Sequence, residues 1–170
     1  MVRRIAKEQQ TLRDLTAQSL RPEHIAQAFP LIQAALPGVP LEAWVAFARA
    51  LVQDRDRPET GIISIVSEQG YIAGLSSYRV DHSLMHGQSL TADHFVAIDM
   101  FDRQAVVNAL ADAVEALARA CDCGAVHTTL LDKGGAHGAG TTVSTLAGRG
   151  HEVEAVRLCK ILSRTDRARE

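Results

Sequence analysis

The spacing of apolar residues changes several times along the chain, and each change marks an element. The clearest signal follows Asp102. There Val107, Leu110, Val114, Leu117 and Cys121 recur every three or four residues, which predicts a helix with one buried stripe, closed by Gly124. Ahead of it, "LTADHFVAIDMF" (90–101) predicts a strand whose end runs straight into that helix. Upstream, "IISIV" (62–66) is nearly all apolar and β-branched, as a central strand should be. "YIAGLSSYRV" (71–80) is its partner across the turn "SEQG" (67–70), and "DHSLMHGQS" (81–89) is a second turn region. Three successive strands on short connections make an antiparallel meander.

The flanks complete the order. "TLRDLTAQSL" (11–20) is a weak strand candidate. Arg21-Pro22 opens a helix carrying Ile25, Phe29, Ile32 and Leu36, with Pro30 inside to kink it or split it in two. A second helix follows Pro40 and buries Leu41, Trp44, Val45, Ala48, Leu51 and Val52, and "DRDRPETG" (54–61) breaks it off. After the long helix come a strand in "AVHTTLLD" (125–132) and a glycine-rich loop, "KGGAHGAG" (133–140). A short helix capped by Thr141 or Thr142 runs through Leu146 to "GRG" (148–150), and "EVEAVRLCKIL" (152–162) is a last strand. The order β-α-α-β-β-β-α-β-α-β contains one β-α-β unit around the long helix, so its two strands should run parallel. A mixed α/β fold follows, with a central sheet and helices on both faces.

Composition narrows the function classes. The chain has 170 residues, enough for one domain with a sizeable core, and 46% hydrophobic against 22% charged residues is ordinary for a soluble protein. A formal net charge of −2 argues against a general nucleic-acid footprint. The charged ends, 1–10 and 163–170, read as solvated tails. Arg3 and Arg4 are not followed by an apolar run, and the stretch 105–121 is too short and too charged to span a bilayer. Reduced Cys121, Cys123 and Cys159 then point to the cytoplasm.

Candidate chemistry concentrates at the strand–helix junction, where free backbone N–H groups and the helix dipole attract an anion. Strand 90–101 also offers His94 and Asp99 as titratable groups. They have opposite parity in a regular strand and the same parity if a bulge intervenes, and Tyr78 on the neighbouring strand can join them. A metal centre would need several of His82, His86, His94 and His127 to converge; their spacing does not force that, and no metal is expected. "CDC" (121–123) reads as a helix end, and the glycine loop lacks the Gly-Lys-Ser/Thr of a P-loop.

The element order and lengths over roughly residues 11–162 resemble the GNAT family of acetyl-CoA-dependent N-acyltransferases. So do the "LRPEH" entry to the first helix (20–24), the junction at 95–110 and the ending "LAGRGHEVEAVRLCKIL" (146–162). The resemblance implies acetyl-CoA as cosubstrate, an amine acceptor (small molecule or peptide) and a homodimer; charge and hydropathy leave neither nucleic acid nor membrane as an expected partner. It implies that the fourth and fifth strands splay, with Ile98 and Met100 offering backbone to the pantetheine arm. The pyrophosphate then meets Arg103, Gln104, Ala105, Val106, Val107 and Asn108 at the helix N-terminus, and His94 and Asp99 are the catalytic candidates. Three departures stand out. The family's Q/R-x-x-G-x-G/A loop is met by Asp102, Ala105 and Val107; the acidic Tyr of the last helix is replaced by Leu146; and His151 replaces a Phe. They leave open an alternative: a domain of this fold that no longer catalyses and serves for binding or dimerisation.

Overall fold

A computed structural model describes residues 15–52, 59–98, 102–130 and 139–160. Strand β1 spans Thr16–Ser19. Turns of 3-10 helix at Pro22–His24 and Ala26–Ala28 lead into α1, Phe29–Ala35, which starts with Pro30 in its first turn. The expected first helix is thus split, since a proline lacks the N–H that an unbroken helix would need there. Helix α2 covers Leu41–Val52. The meander is β2 (Thr60–Val66), β3 (Ile72–Ser83) and β4 (Gly87–Ala97). Helix α3 (Arg103–Ala120), β5 (Ala125–Thr128) and α4 (Ala139–Gly148) follow.

The sheet runs β1-β2-β3-β4-β5, antiparallel except for the parallel β4–β5 pair that the β-α-β unit requires. Each face has its own core. On one, Ile63, Ile65, Leu90, Ala92 and Phe95 pack against Val106, Val107, Leu110 and Val114 of α3 and Leu146 of α4. On the other, Ile62, Leu75 and Val96 meet Ile32 of α1 and Trp44 and Ala48 of α2. The buried Trp44 indole donates from Nε1 to the carbonyl of Ile25 at 2.7 Å, which ties α2 to the segment before α1.

Four expectations need correction. Residues 151–160 form no regular strand and are almost entirely exposed, while 161–162 lie outside the described residues. Their apolar side chains fall on both parities, Val153 and Ala155 on one and Val156 and Leu158 on the other, so no face is committed to burial. The turn region 81–89 is mostly strand: β3 and β4 pair as far as Ser83↔Gly87, and only Leu84–His86 turn. Polar residues there suit exposed strand as well as loop. Residue Asp122 (φ 55), not Gly124, takes the left-handed conformation behind α3. Helix α4 begins at Ala139, so Thr141 and Thr142 lie inside it instead of capping it. Its end is as expected, with Gly150 at φ 92 and the His151 N–H donating to Leu146 O at 3.1 Å.

Gly74 sets how closely α3 can approach the sheet. A Cβ there would lie 2.8 Å from Cγ1 of Val106 and 3.3 Å from the carbonyl of Val96, both in the first packed layer. Gly74→Ala should therefore push the start of α3 off β3 and β4 and destabilise the fold by about 1–3 kcal/mol. Denaturant midpoints at unchanged slope are the check.

Candidate active site

The parallel pairing of β4 with β5 is short. It runs from Ser89↔Ala125 to Ala92↔Thr128, and the last bridge is the Thr129 N–H to Ala92 O at 2.8 Å. Strand β4 continues to Ala97, still paired with β3 at Gly74. Among the described residues its other edge, from Asp93 onward, has no strand beside it. The two strands therefore part near residues 92 and 128.

A bulge sits at the point of parting. Leu75 pairs with Val96 and Ser77 with Asp93, so three steps along β4 match two along β3. His94, inside the bulge, has φ 53, a left-handed conformation uncommon for a side chain of its size. The backbone there turns the imidazole onto the α1–α2 face. It meets the ring of Phe47 edge-on at 5.0 Å and, with Ser77, forms the polar end of a cavity of about 220 Å³. Its other walls are hydrocarbon, chiefly Ile32, Leu36, Val39, Trp44, Phe47 and Leu75.

Burial pushes the His94 imidazole below its ordinary value of 6.5; the Asp93 carboxylate opposes the shift and the Arg157 guanidinium adds to it. His94 is therefore neutral at pH 7. Ser77 Oγ lies 3.1 Å from the Asp93 carbonyl and 2.9 Å from His94 Nδ1. A hydroxyl has one proton. If it goes to the carbonyl, His94 donates from Nδ1 to Ser77 and its Nε2 carries the free lone pair. Asp93 itself is largely buried and accepts from Arg79 Nη1 at 2.8 Å and Arg157 Nη1 at 3.2 Å, so β3, β4 and the final segment meet at one carboxylate.

The helix N-terminus is close by. Asp102 caps α3, accepting at Oδ1 from the Ala105 N–H at 2.9 Å. The Val106 and Val107 side chains are fully buried in the α3 core and do not crowd the helix end. Arg103 is half-buried, and its Nε is shielded from solvent without a hydrogen-bond partner. Gln104 is exposed, while Ala105 and Asn108 are partly so. The Ile98 N–H donates across to Ala73 O on β3 at 2.9 Å, so alternation turns the main-chain groups of Ala97 to the open edge. Asp99, Met100 and most of the glycine loop lie outside the described residues.

One expectation shifts and another holds. Tyr78 packs against the α3-side core, on the sheet face opposite His94, and cannot join it. Leu146 is buried in that same core, a packing residue with no proton to give. Two of the four histidines do meet: His86 and His127 have ring centroids 5.5 Å apart, and the Glu154 carboxylate reaches both. The sequence carries no signal for that trio, because residue 154 sits in a stretch whose β-branched residues predict a strand.

No protein-family model matches the chain, and no curated protein sequence does. Solved structures do match. The aminoglycoside 6'-N-acetyltransferase AAC(6')-Ih from Acinetobacter baumannii superposes with a TM-score of 0.67 at 11% identity, over 88% of this chain and 99% of that one. The aminoglycoside N-acetyltransferase AAC(6')-Iy, solved in complex with CoA, gives 0.65 at 15% identity over 88% and 95%. Glucosamine-6-phosphate N-acetyltransferase from Arabidopsis thaliana gives 0.61 at 14% identity over 88% and 99%. Among the described residues no helix is long and apolar enough to cross a membrane. With its splayed β4 and β5, its strand bulge and these structural neighbours, the chain has the fold of the GNAT N-acetyltransferases, carried by a divergent sequence.

Proposed function

We propose that the protein is an N-acetyltransferase that moves an acetyl group from acetyl-CoA to a primary amine. One observation carries this reading: β4 loses its parallel partner after Ala92, immediately before the His94 bulge. The pantetheine arm lies along the open edge, bonded to the main chain at Ala97, with Met100 further along. The pyrophosphate sits at the start of α3, near Arg103, Gln104 and the backbone of 105–108. The acceptor enters the cavity on the α1–α2 face. His94 Nε2 takes a proton as the amine nitrogen attacks the thioester carbonyl. The C–S bond then breaks, and the thiolate leaves and is protonated by solvent, since Leu146 offers no acid. Asp99 is a second candidate base.

The cavity narrows the acceptor. At about 220 Å³ it exceeds the roughly 150 Å³ that holds a benzene, and its walls are mostly hydrocarbon. An amine on a small apolar body fits better than a polycation.

A second reading, a domain of this fold that no longer catalyses and serves for binding or dimerisation, rests on two observations. The Asp102 carboxylate already uses the Ala105 N–H, and Leu146 replaces an acid. Binding of CoA with no turnover of any amine would favour it.

The first test is cofactor binding. Acetyl-CoA at a hundred times its Kd should stabilise the fold by about 2.7 kcal/mol, read as a rise in melting temperature, and no shift at millimolar cofactor overturns the transferase reading. Asp102→Asn keeps the cap but removes a negative charge from the phosphate site. Calorimetry should find acetyl-CoA bound about two- to fivefold tighter, the equivalent of roughly 0.3–1 kcal/mol.

In a steady-state panel, arylalkylamines should give higher kcat/KM than kanamycin. The reverse order would sink the apolar-acceptor assignment. His94→Asn tolerates the left-handed backbone but lacks a base at neutral pH. It should lower kcat/KM by about 10²-fold or more with little change in melting temperature. In the wild type, kcat/KM referred to the concentration of unprotonated amine should stay level from neutral pH down to about 6.5 and fall only below that, because burial holds the His94 pKa under its ordinary value. The stability term has the same sign: present above about 6.5, lost as acid protonates the buried ring. A limb unchanged in His94→Asn would remove His94 from the mechanism.

A further inference from the structure

The geometry points to a divalent transition-metal site, with zinc as its ion, formed by His86, His127 and Glu154 at the paired end of β4 and β5. The three ligand atoms lie within 4.8 Å of one another and come from three separate parts of the chain. His86 belongs to the β3–β4 turn, where its N–H donates to Ser83 Oγ at 3.3 Å. His127 stands on β5 opposite Thr91, one residue before the strands part. Glu154 comes from the final segment, which has no strand pairing of its own.

The backbone brings the two rings together. The Gly124 N–H donates to Gln88 O at 2.8 Å, and a Cβ on Gly124 would lie 3.1 Å from His86 O. A side chain at residue 124 would push that carbonyl back by a few tenths of an ångström, so glycine lets the turn sit close against the start of β5. Both imidazoles then turn their Nε2 atoms to one carboxylate, at 2.6 Å from Oε1 for His86 and 3.2 Å from Oε2 for His127. The His127 contact is close but poorly directed, and its Nε2 is shielded from solvent with no well-formed hydrogen bond. A shielded imidazole nitrogen within 3.2 Å of a carboxylate and beside a second imidazole, yet without a hydrogen bond, is a ligand arrangement left incomplete.

Two imidazoles and a carboxylate are the donors of a three-ligand zinc site that keeps a fourth position open. Tetrahedral ligands at about 2.0–2.1 Å from zinc stand roughly 3.3–3.4 Å apart, within reach of small side-chain adjustments here. His86 and Glu154 are both exposed, so the ion enters from solvent and the open position faces it. The bound ion fastens residues 151–160 to the sheet, next to the Arg157–Asp93 pair. This role is independent of acetyl transfer.

The experiment titrates zinc chloride into tag-free, chelator-treated full-length protein by calorimetry. One zinc per chain is expected. His86→Ala, His127→Ala and Glu154→Gln should each weaken binding by at least the roughly 10- to 100-fold lost when a supporting residue is removed, and His82→Ala should leave it unchanged. Glu154 lies outside every helix and strand, so Glu154→Gln tests the site without risk to the fold. Zinc should also slow tryptic cleavage after Arg157 and Lys160 in the wild type but not in Glu154→Gln. Absence of one-to-one binding, or binding indifferent to all three substitutions, overturns the site. Unslowed cleavage overturns the fastening.

Discussion

A parallel strand pair that stops halfway is the constraint on which the rest depends. Every backbone N–H and C=O must find a partner, and a sheet strand normally finds one on each side. Strand β4 does so with β3 through Ala97, but with β5 only through Ala92. Beyond that point, among the described residues, no strand lies along its outer edge. The bulge at His94 belongs to the same event. By giving β4 an extra residue, it shifts side-chain parity where the partner strand departs, so the imidazole faces the α1–α2 cavity beside an unpaired edge.

The sheet can carry this defect because its two faces do different work. The α3 face is dense and apolar. Gly74 brings Val106 down onto β3, and Arg149, after α4, pairs with Asp112 and Glu115 on α3, holding the two helices together. The opposite face is apolar only where α1 and α2 cover it. Further along it becomes a row of polar and charged groups: Ser77, Arg79, Asp93 and His127, met by Arg157 and Glu154 from the final segment. His94 and the proposed metal ligands His127 and Glu154 lie on that second face, while packed helix side chains fill the first.

Much of this was readable from periodicity, and the failures share a cause. The long helix, the meander and the β-α-β unit each carry an apolar stripe matched to one face, and burial enforces them. The split at Pro30 follows from one missing N–H. The segment 152–162 carries β-branched residues but no committed face, so local propensity misled. Helix α4 extends to Ala139 although its start offers only small residues and threonines, a signal too weak to place a boundary. Within the site, the value of His94 rested on a bulge that only the β3 register reveals. The meeting of His86 with His127 is eased by a glycine that lets two backbones come close. Contacts made across the sheet leave no periodic trace in the sequence.

The glycine-free helix start is less damaging to anion binding than its sequence suggests. Glycines serve such loops by letting a phosphate approach the backbone, and the same clearance arises when side chains point elsewhere. Val106 and Val107 are buried in the α3 core, so neither stands over the helix end. What remains is competition with Asp102, whose carboxylate already holds the Ala105 N–H. A cap of this kind contributes about 1 kcal/mol to the fold. A pyrophosphate carries more charge than one carboxylate and spans several N–H groups, so on magnitude it can displace the side chain at modest cost. The shielded, unbonded Nε of Arg103 one residue on supplies part of the opposing charge. In the proposed transferase, the anion site is one that the chain's own aspartate closes in the absence of ligand. Such a cap favours helix stability at some cost in cofactor affinity.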